Sequence, residues 1–200
     1  MAQETPTARQ LRDADALALA DLAAIFDDLR FVLGCCERLL AELGRGEQRD
    51  DVLVESLWTA ALSTYARCFR SRESGVALSV TDLSATGVKG EVVQWHRMLG
   101  RLRSFLVDGV ANPREEFFVG VSQSPEGAAS GVVVTSITRP DVDETTVRQT
   151  GRLALELTTL VDRRIKERQE AVFAAASKLS ADDLAALDPI DVDWSPAQAP

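Results

Sequence analysis

The chain has 200 residues, of which 46% are hydrophobic, enough for one folded domain with an apolar core. Its formal net charge of −9 weighs against a general nucleic-acid-binding protein, which needs positive charge to neutralise phosphates. Apolar runs stay shorter than the roughly 18 residues of a membrane span. The polar start MAQETPTARQ lacks the apolar stretch of a secretory signal, so we predict a cytoplasmic protein without membrane association.

Residues 8–43 are predicted to form one long helix. Its apolar residues follow one another at alternating steps of four and three over more than three heptads, a spacing typical of helices that pack on other helices. This apolar seam consists of Ala18, Leu22, Ile25, Leu29, Val32, Cys36, Leu39 and Leu43. The Gly-Arg-Gly at 44–46 then ends the helix, because glycine readily adopts the conformation that closes one.

Two shorter helices are predicted next, over about 50–70 and about 89–108. The first has an apolar face that consists of Val54, Leu57, Trp58, Ala61, Tyr65 and Cys68. The apolar face of the second consists of Val92, Trp95, Leu99, Leu102 and Leu106. The intervening segment 71–88 is rich in Ser, Thr and Gly, which indicates a loop with one short helical turn at 81–84.

The composition then changes to β-branched and aromatic residues. EEFFVGVSQ and SGVVVTSIT, joined by the turn-rich SPEGAA, predict a β-hairpin with strands at about 116–123 and 130–138. Because a two-stranded sheet is only marginally stable alone, we expect this hairpin to lie on the helices.

A second long helix is predicted over 142–178, with an apolar seam that runs from Leu153 to Leu179. Asp141 and Glu144 have the spacing of a capping box at its start. Its length matches that of the first helix, which favours an antiparallel pair. The predicted fold is therefore mainly α, a helical bundle with two long antiparallel helices, two shorter helices and one inserted β-hairpin, within residues 1–180.

The C-terminal segment 181–200 contains five Asp and three Pro but no basic residue. ADDLAALDP is predicted to form one helical turn, and the remainder to be a flexible acidic tail. Trp194, with Asp191 and Asp193 beside it, is a candidate partner-binding motif, because an exposed tryptophan can anchor a partner protein. The alternative is that Trp194 folds back on its own domain.

The chain offers few residues for metal or cofactor chemistry. Cys35, Cys36 and Cys68 lack the spacing of a metal site, and His96 is the only histidine. No glycine-rich phosphate-binding loop is present in the sequence. We therefore predict reduced and mostly buried thiols, no metal site and no cofactor.

The candidate site for phosphate or RNA lies on the third predicted helix. Arg97, Arg101 and Arg103 accompany His96 there, in the stretch Val92–Val107, which has no acidic residue. The alternative is that these arginines pair with the surplus acids of the chain. A lone histidine is more often a helix-packing residue than a catalyst, and no orienting partner for it can be identified. The residues therefore favour a protein that is not an enzyme.

Two phrases resemble a family of small bacterial helical proteins related to the HEPN superfamily. They are ESLWTAALSTYARCFRS and WHRMLGRLRSFLVDGVANPREEFFVGV, followed by the valine-rich hairpin and the long helix, so the resemblance covers about residues 50–165. The matching positions are Tyr65, Arg67, Phe69, His96, Leu102, Arg103, Asn112 and Pro113. The resemblance implies a helical bundle that often dimerises.

The resemblance also implies a chemistry. In active HEPN ribonucleases, Arg-x(4–6)-His motifs meet across the dimer, where the histidine helps to deprotonate a ribose 2′-OH and the arginine stabilises the phosphorane charge. In this chain, the positions five and six residues after Arg103 are Asp108 and Gly109. The histidine is therefore missing, and an anionic Asp108 would repel a phosphate.

Three hypotheses follow from these residues. The first is a non-catalytic helical scaffold that acts by protein–protein contact, as a homodimer. The second is a degenerate HEPN-like ribonuclease or RNA-binding component of a toxin system that uses the arginines and His96. The third is an acidic antitoxin or phage-encoded inhibitor that covers a basic surface of a partner protein.

Overall fold

The structure is a computed structural model that describes residues 7–108, 117–136 and 142–192. These residues form a mainly α protein with a β-hairpin, as predicted. The helices are α1 (Ala14–Leu43), α2 (Asp51–Arg67), α3 (Val80–Ser84), α4 (Val92–Val107), α5 (Glu144–Ala176) and α6 (Ala181–Ala186). The strands are β1 (Ala8–Arg9), β2 (Phe117–Gln123), β3 (Ala129–Ser136) and β4 (Pro189–Ile190). None of the described helices combines the length and the apolar character that crossing a bilayer requires.

The two long helices α1 and α5 pack side by side and run antiparallel. Cys36 of α1 lies against Gly151 of α5, where an added Cβ would be 3.4 Å from the Cβ of Cys36. Farther along the pair, Arg168 of α5 forms an ion pair with Asp15 near the start of α1. The predicted α1 seam is buried except for Leu43, which is half-buried. The alternating steps of four and three residues thus place the apolar stripe of α1 in the core.

Helices α2 and α4 complete the bundle. Helix α2 packs on α1 and α4 packs on α2, with Trp58, Ala61 and Tyr65 of α2 buried. The short helix predicted at 81–84 is α3, where Ser79 and Asp82 form a reciprocal capping box. This segment is more than a surface loop, because the side chains of Leu78 and Leu83 are buried in the core.

Two helices begin later in the chain than predicted, each directly after an aspartate that caps it. Helix α1 begins at Ala14 and not at residue 8, because the carboxylate of Asp13 accepts hydrogen bonds from the backbone N–H groups of Asp15 and Ala16. Helix α5 begins at Glu144, where Asp143 and not Asp141 is the N-cap residue. Asp141 itself lies outside the described residues.

The C-terminal segment is more ordered than predicted as far as residue 190. Residues Ala181–Ala186 form α6, in place of a single turn, and Pro189–Ile190 pair antiparallel with Ala8–Arg9 as β4 with β1. Arg9 also donates a hydrogen bond to the backbone oxygen of Leu187. The two ends of the described chain are therefore tied together, and the prediction of a flexible tail from residue 190 onward is wrong for Ile190.

The hairpin pairs Phe117 with Ser136 and Val121 with Val132, with a turn that includes Gly127 at φ +87°. Every residue of β3 is exposed, and β2 is mostly exposed. The prediction that the hairpin lies on the helices is therefore wrong. Residues 117–136, which we call the arm, project with their side chains open to solvent.

Candidate functional site

The only histidine of the chain is a packing residue between α2 and α4. The hydroxyl of Tyr65 lies 3.0 Å from Nδ1 of His96, and the ring of Phe69 stacks at an angle with a centroid distance of 4.4 Å. Burial, and then the positive charge of Arg97, lowers the pKa of His96. Burial also raises the pKa of Tyr65, so its hydroxyl stays protonated. His96 is thus held neutral, with one ring nitrogen engaged.

Arg103 forms an ion pair with Asp108, which lies at a position where the HEPN-like motif would have its histidine. Nη1 of Arg103 lies 2.7 Å from Oδ2 of Asp108, and the arginine side chain is only 17% exposed. The Asp108 carboxylate therefore occupies the guanidinium that a phosphate would have to reach. The candidate role of Arg103 as a phosphate contact is not supported by this geometry.

Arg67 at the end of α2 and Arg72 in the following segment pair with an acid of α1. Both Arg67 and Arg72 form ion pairs with Asp28 of α1, a carboxylate that is buried. Nε of Arg67 also donates to Oδ2 of Asp28 over 2.9 Å. This cluster fastens the segment after α2 to α1.

One cleft of the described structure includes Arg101 in its lining, but not Arg97, Arg103 or His96. This cleft has a volume of about 540 Å³ and lies between α4, the segment before it and the first half of α5. Its basic lining residues are Lys89, Arg101 and Arg152. Arg97 is exposed on the same helix but outside this lining. The structure thus divides the predicted cluster, because His96 and Arg103 have other partners.

Sequence reasoning missed Arg152 as a site residue. Arg101 and Arg152 each directly precede a seam leucine, Leu102 and Leu153, so both lie at the border of an apolar face. That position was a usable signal on each helix. That both arginines line the same cleft, however, depends on the position of α4 relative to α5, which the spacing within one helix does not encode.

The described residues offer little for metal or thiol chemistry. Among residues 7–108, 117–136 and 142–192, no group of three or more His, Cys, Asp or Glu side chains is placed to hold a metal ion. The three cysteines are free and buried, as predicted. Burial raises the pKa of Cys36 and of Cys68 to about 12, so these thiols stay protonated and unreactive.

The predicted partner motif near the C-terminus is only partly described. Asp191 is exposed and follows directly after strand β4. Trp194 and Asp193 lie outside the described residues. The partner-binding role of this motif therefore stays a prediction.

The arm presents an apolar face to solvent. Side chains that are paired across the hairpin share a face, and alternate residues point to opposite faces. One face, which we call the apolar arm face, carries Phe117, Val119, Val121, Val132 and Val134, with Ser136 beside Phe117 at its end. The five apolar side chains are between 61% and 73% exposed. The opposite face is mixed, because Gly120, Ser122, Gly131 and Thr135 lie there beside Phe118 and Val133.

Comparison of the chain with protein-family models, with curated proteins and with solved structures gives no match. The resemblance to HEPN-related proteins therefore stays a prediction from the residues. Three of the residues that carry it, Tyr65, Phe69 and His96, contact one another in the structure as packing partners.

Proposed function

We propose that the protein is a non-catalytic helical scaffold that associates with a second copy of itself through the apolar arm face. The observation that carries this proposal is the exposure of five apolar side chains on one face of a projecting hairpin. Contiguous apolar surface of this kind is typical of interaction sites in soluble proteins. Within the described residues, β2 and β3 pair only with each other, so both outer edges of the arm can accept a further strand, as in known modes of strand addition.

The strands of the arm are a surface on which a second copy can approach without charge repulsion. The chain carries a net charge of −9, so two copies repel each other over most of their surfaces. The two strands FFVGVSQ and ASGVVVTS contain no charged residue. A two-fold axis through the arm would place Val119 and Val134 of one copy against the same apolar face of the other, a self-complementary contact.

The size of the face sets the expected strength of the dimer. Strands of seven and eight residues give a face of about 25 Å by about 10 Å, from the usual rise per residue and strand spacing. This area is smaller than the roughly 800 Å² that each partner buries in a standard stable interface. We therefore propose a reversible dimer with a dissociation constant in the micromolar range.

The non-catalytic part of the proposal is supported by the partners of two residues. His96 contacts Tyr65 and Phe69 inside the bundle, and Arg103 is neutralised by Asp108. A general base must reach the proton that it removes, and a phosphate contact needs an unpaired cation. Neither requirement is met by these two side chains in the described structure.

Sedimentation equilibrium on the full chain tests the dimer, with two lysine substitutions at adjacent positions of β3. Val134→Lys places a charge on the apolar arm face, and Thr135→Lys places the same charge on the opposite face. We expect the unmodified protein and the Thr135→Lys variant to dimerise at high micromolar concentration. The Val134→Lys variant should remain a monomer under the same conditions.

Three results would overturn the dimer. They are a strictly monomeric protein at high micromolar concentration, an equal loss of association in both lysine variants, and a monomer that instead binds phosphatidylcholine vesicles through the arm. An RNA assay tests the alternative of a ribonuclease. Dimerisation alone does not distinguish a ribonuclease from a non-catalytic scaffold. We expect labelled single-stranded RNA to stay intact at low ionic strength, and cleavage that Arg103→Ala abolishes would contradict the non-catalytic proposal.

A further inference from the structure

The cleft beside α4 has the size and composition of a small-molecule site. Its volume of about 540 Å³ lies within the range of about 300–1,000 Å³ that is typical of ligand pockets. One wall comes from α4 and the segment before it, and the other comes from Gln149, Arg152 and Leu153 of α5. No residue of the arm strands belongs to this lining, so the cleft does not depend on the proposed dimer.

The net charge of the cleft lining is positive, opposite in sign to that of the whole chain. Lys89, Arg101 and Arg152 contribute three positive charges, and Glu91 contributes one negative charge, so the lining carries a net charge of +2. Arg101 and Arg152 are exposed, and neither forms an ion pair or hydrogen bond within the described ranges. Two unpaired guanidinium groups in one cleft are notable in a chain with 31 acidic residues. The carboxylate of Glu156 lies beside Gly87, which directly precedes the lining residue Val88.

Trp95 adds an aromatic surface to the cleft. Its side chain lines the cleft, and its indole Nε1 is shielded from water without an acceptor in the described part of the chain. Met98 and Leu153 supply further apolar lining, which suits a planar ring.

From this arrangement we propose that the cleft binds a phosphate monoester that carries an aromatic group, a ligand of nucleotide size. A phosphate monoester has a charge of about −1.5 to −2 at neutral pH, which matches the net charge of the lining. Arg101 and Arg152 hold the phosphate from opposite walls, because guanidinium groups donate several hydrogen bonds to phosphate oxygens. The aromatic group lies against the ring of Trp95, which lines the cleft.

Isothermal titration calorimetry with adenosine 5′-monophosphate tests this proposal on the full chain. We expect binding of one nucleotide per chain, and binding that is at least about tenfold weaker in the Arg101→Ala variant. Arg97→Ala is the matched control, since Arg97 lies one turn earlier on α4, is exposed and does not line the cleft. This control variant should bind like the unmodified protein.

Titrations with further ligands identify the chemical groups that the cleft recognises. Adenosine and inorganic phosphate should each bind more weakly than the nucleotide, because each lacks one half of the ligand. A 5′-hydroxyl oligoribonucleotide, which contains only phosphodiesters, should not displace the nucleotide. The proposal is overturned by no nucleotide binding at millimolar concentration, by equal effects of Arg97→Ala and Arg101→Ala, or by tighter binding of the oligoribonucleotide or of an aromatic carboxylate such as benzoate.

Discussion

The helical body and the arm use apolar residues in opposite ways. In the body, which comprises residues 7–108 and 142–192, the seam residues Leu29, Val32 and Leu39 of α1 are fully buried. In the arm, Phe117 and Val119 are exposed by more than 70%. Both regions are rich in apolar side chains, so composition alone does not separate them. The difference is that the helices have partners within the chain and the arm has none among the described residues.

The same comparison holds for charge. The body brings carboxylates and guanidinium groups together in buried or half-buried pairs, such as Asp28 with Arg72 and Asp82 with Arg164. The strands of the arm have no charged side chain at all. A surface that avoids charge and exposes valine is suited to contact another molecule, whereas a charged surface keeps a protein apart from its copies.

Truncation of one apolar residue in each region should give the largest contrast. Leu29→Ala removes a fully buried side chain of the α1 seam, and we expect it to lower the free energy of unfolding by about 2–5 kcal/mol. Val119→Ala in the arm should change the free energy of unfolding by less than about 0.5 kcal/mol, because the side chain is already exposed to water. Urea denaturation at low protein concentration, where the arm is unpaired, measures both.

A cost for Val119→Ala as large as that for Leu29→Ala would contradict the comparison. It would mean that the arm packs on the helices in the monomer. At high concentration the same arm variant should become less stable than the unmodified protein, because dimerisation adds to the apparent stability and weakens with the contact.

The helices could be predicted from sequence because their signal is local. The alternating steps of four and three place Ala18, Leu22 and Ile25 on one face, and burial follows once any partner helix is present. Helix starts were predicted less well, since Asp13 and Asp143 compete with other nearby polar residues for the N-cap position. The pairing of β1 with β4 was missed because it joins two-residue segments that are far apart in sequence.

The hairpin shows where local reasoning fails. Alternation and turn residues predicted its strands, but not whether they would lie on the helices. The candidate site shows the same division, because Arg101 was identified from its own helix whereas Arg152 required knowledge of the packing. The partners of His96 and Arg103 are likewise properties of the packed structure, since Tyr65 is 31 residues away and Asp108 is reached only when the end of α4 folds.

Charge in the body can be probed with two adjacent aspartates of α1. Asp28 is buried and accepts hydrogen bonds from Arg67 and Arg72, whereas Asp27 is exposed. We expect Asp28→Ala to lower the free energy of unfolding by about 1–3 kcal/mol, because it leaves the partly buried Arg72 without its carboxylate. Asp27→Ala is the matched control, with an expected change of less than about 0.5 kcal/mol. Equal effects in chemical denaturation would show that the Asp28 cluster does not stabilise the body.

The smallest expected effect is a pH dependence of the free energy of unfolding, which should arise in the body and not in the arm. Burial and the charge of Arg97 hold the pKa of His96 in the folded protein below its value of 6.5 in an unfolded chain. As the pH falls below about 6.5, the unfolded chain takes up a proton first, so the free energy of unfolding decreases. It stays constant with respect to this group at higher pH.

The strands of the arm contain no titratable side chain, so the dissociation constant of the proposed dimer should not change over the same interval. Denaturation of the unmodified protein and of the His96→Gln variant, at about pH 7.5 and about pH 5.5, measures the free energy of unfolding. Sedimentation equilibrium at the same two pH values measures the dissociation constant of the dimer. His96 is the only histidine, so its replacement should remove the loss of stability between these two values. An unchanged loss in the variant, or a dimer that weakens in parallel with the fold, would mean that the arm and the body are not independent regions.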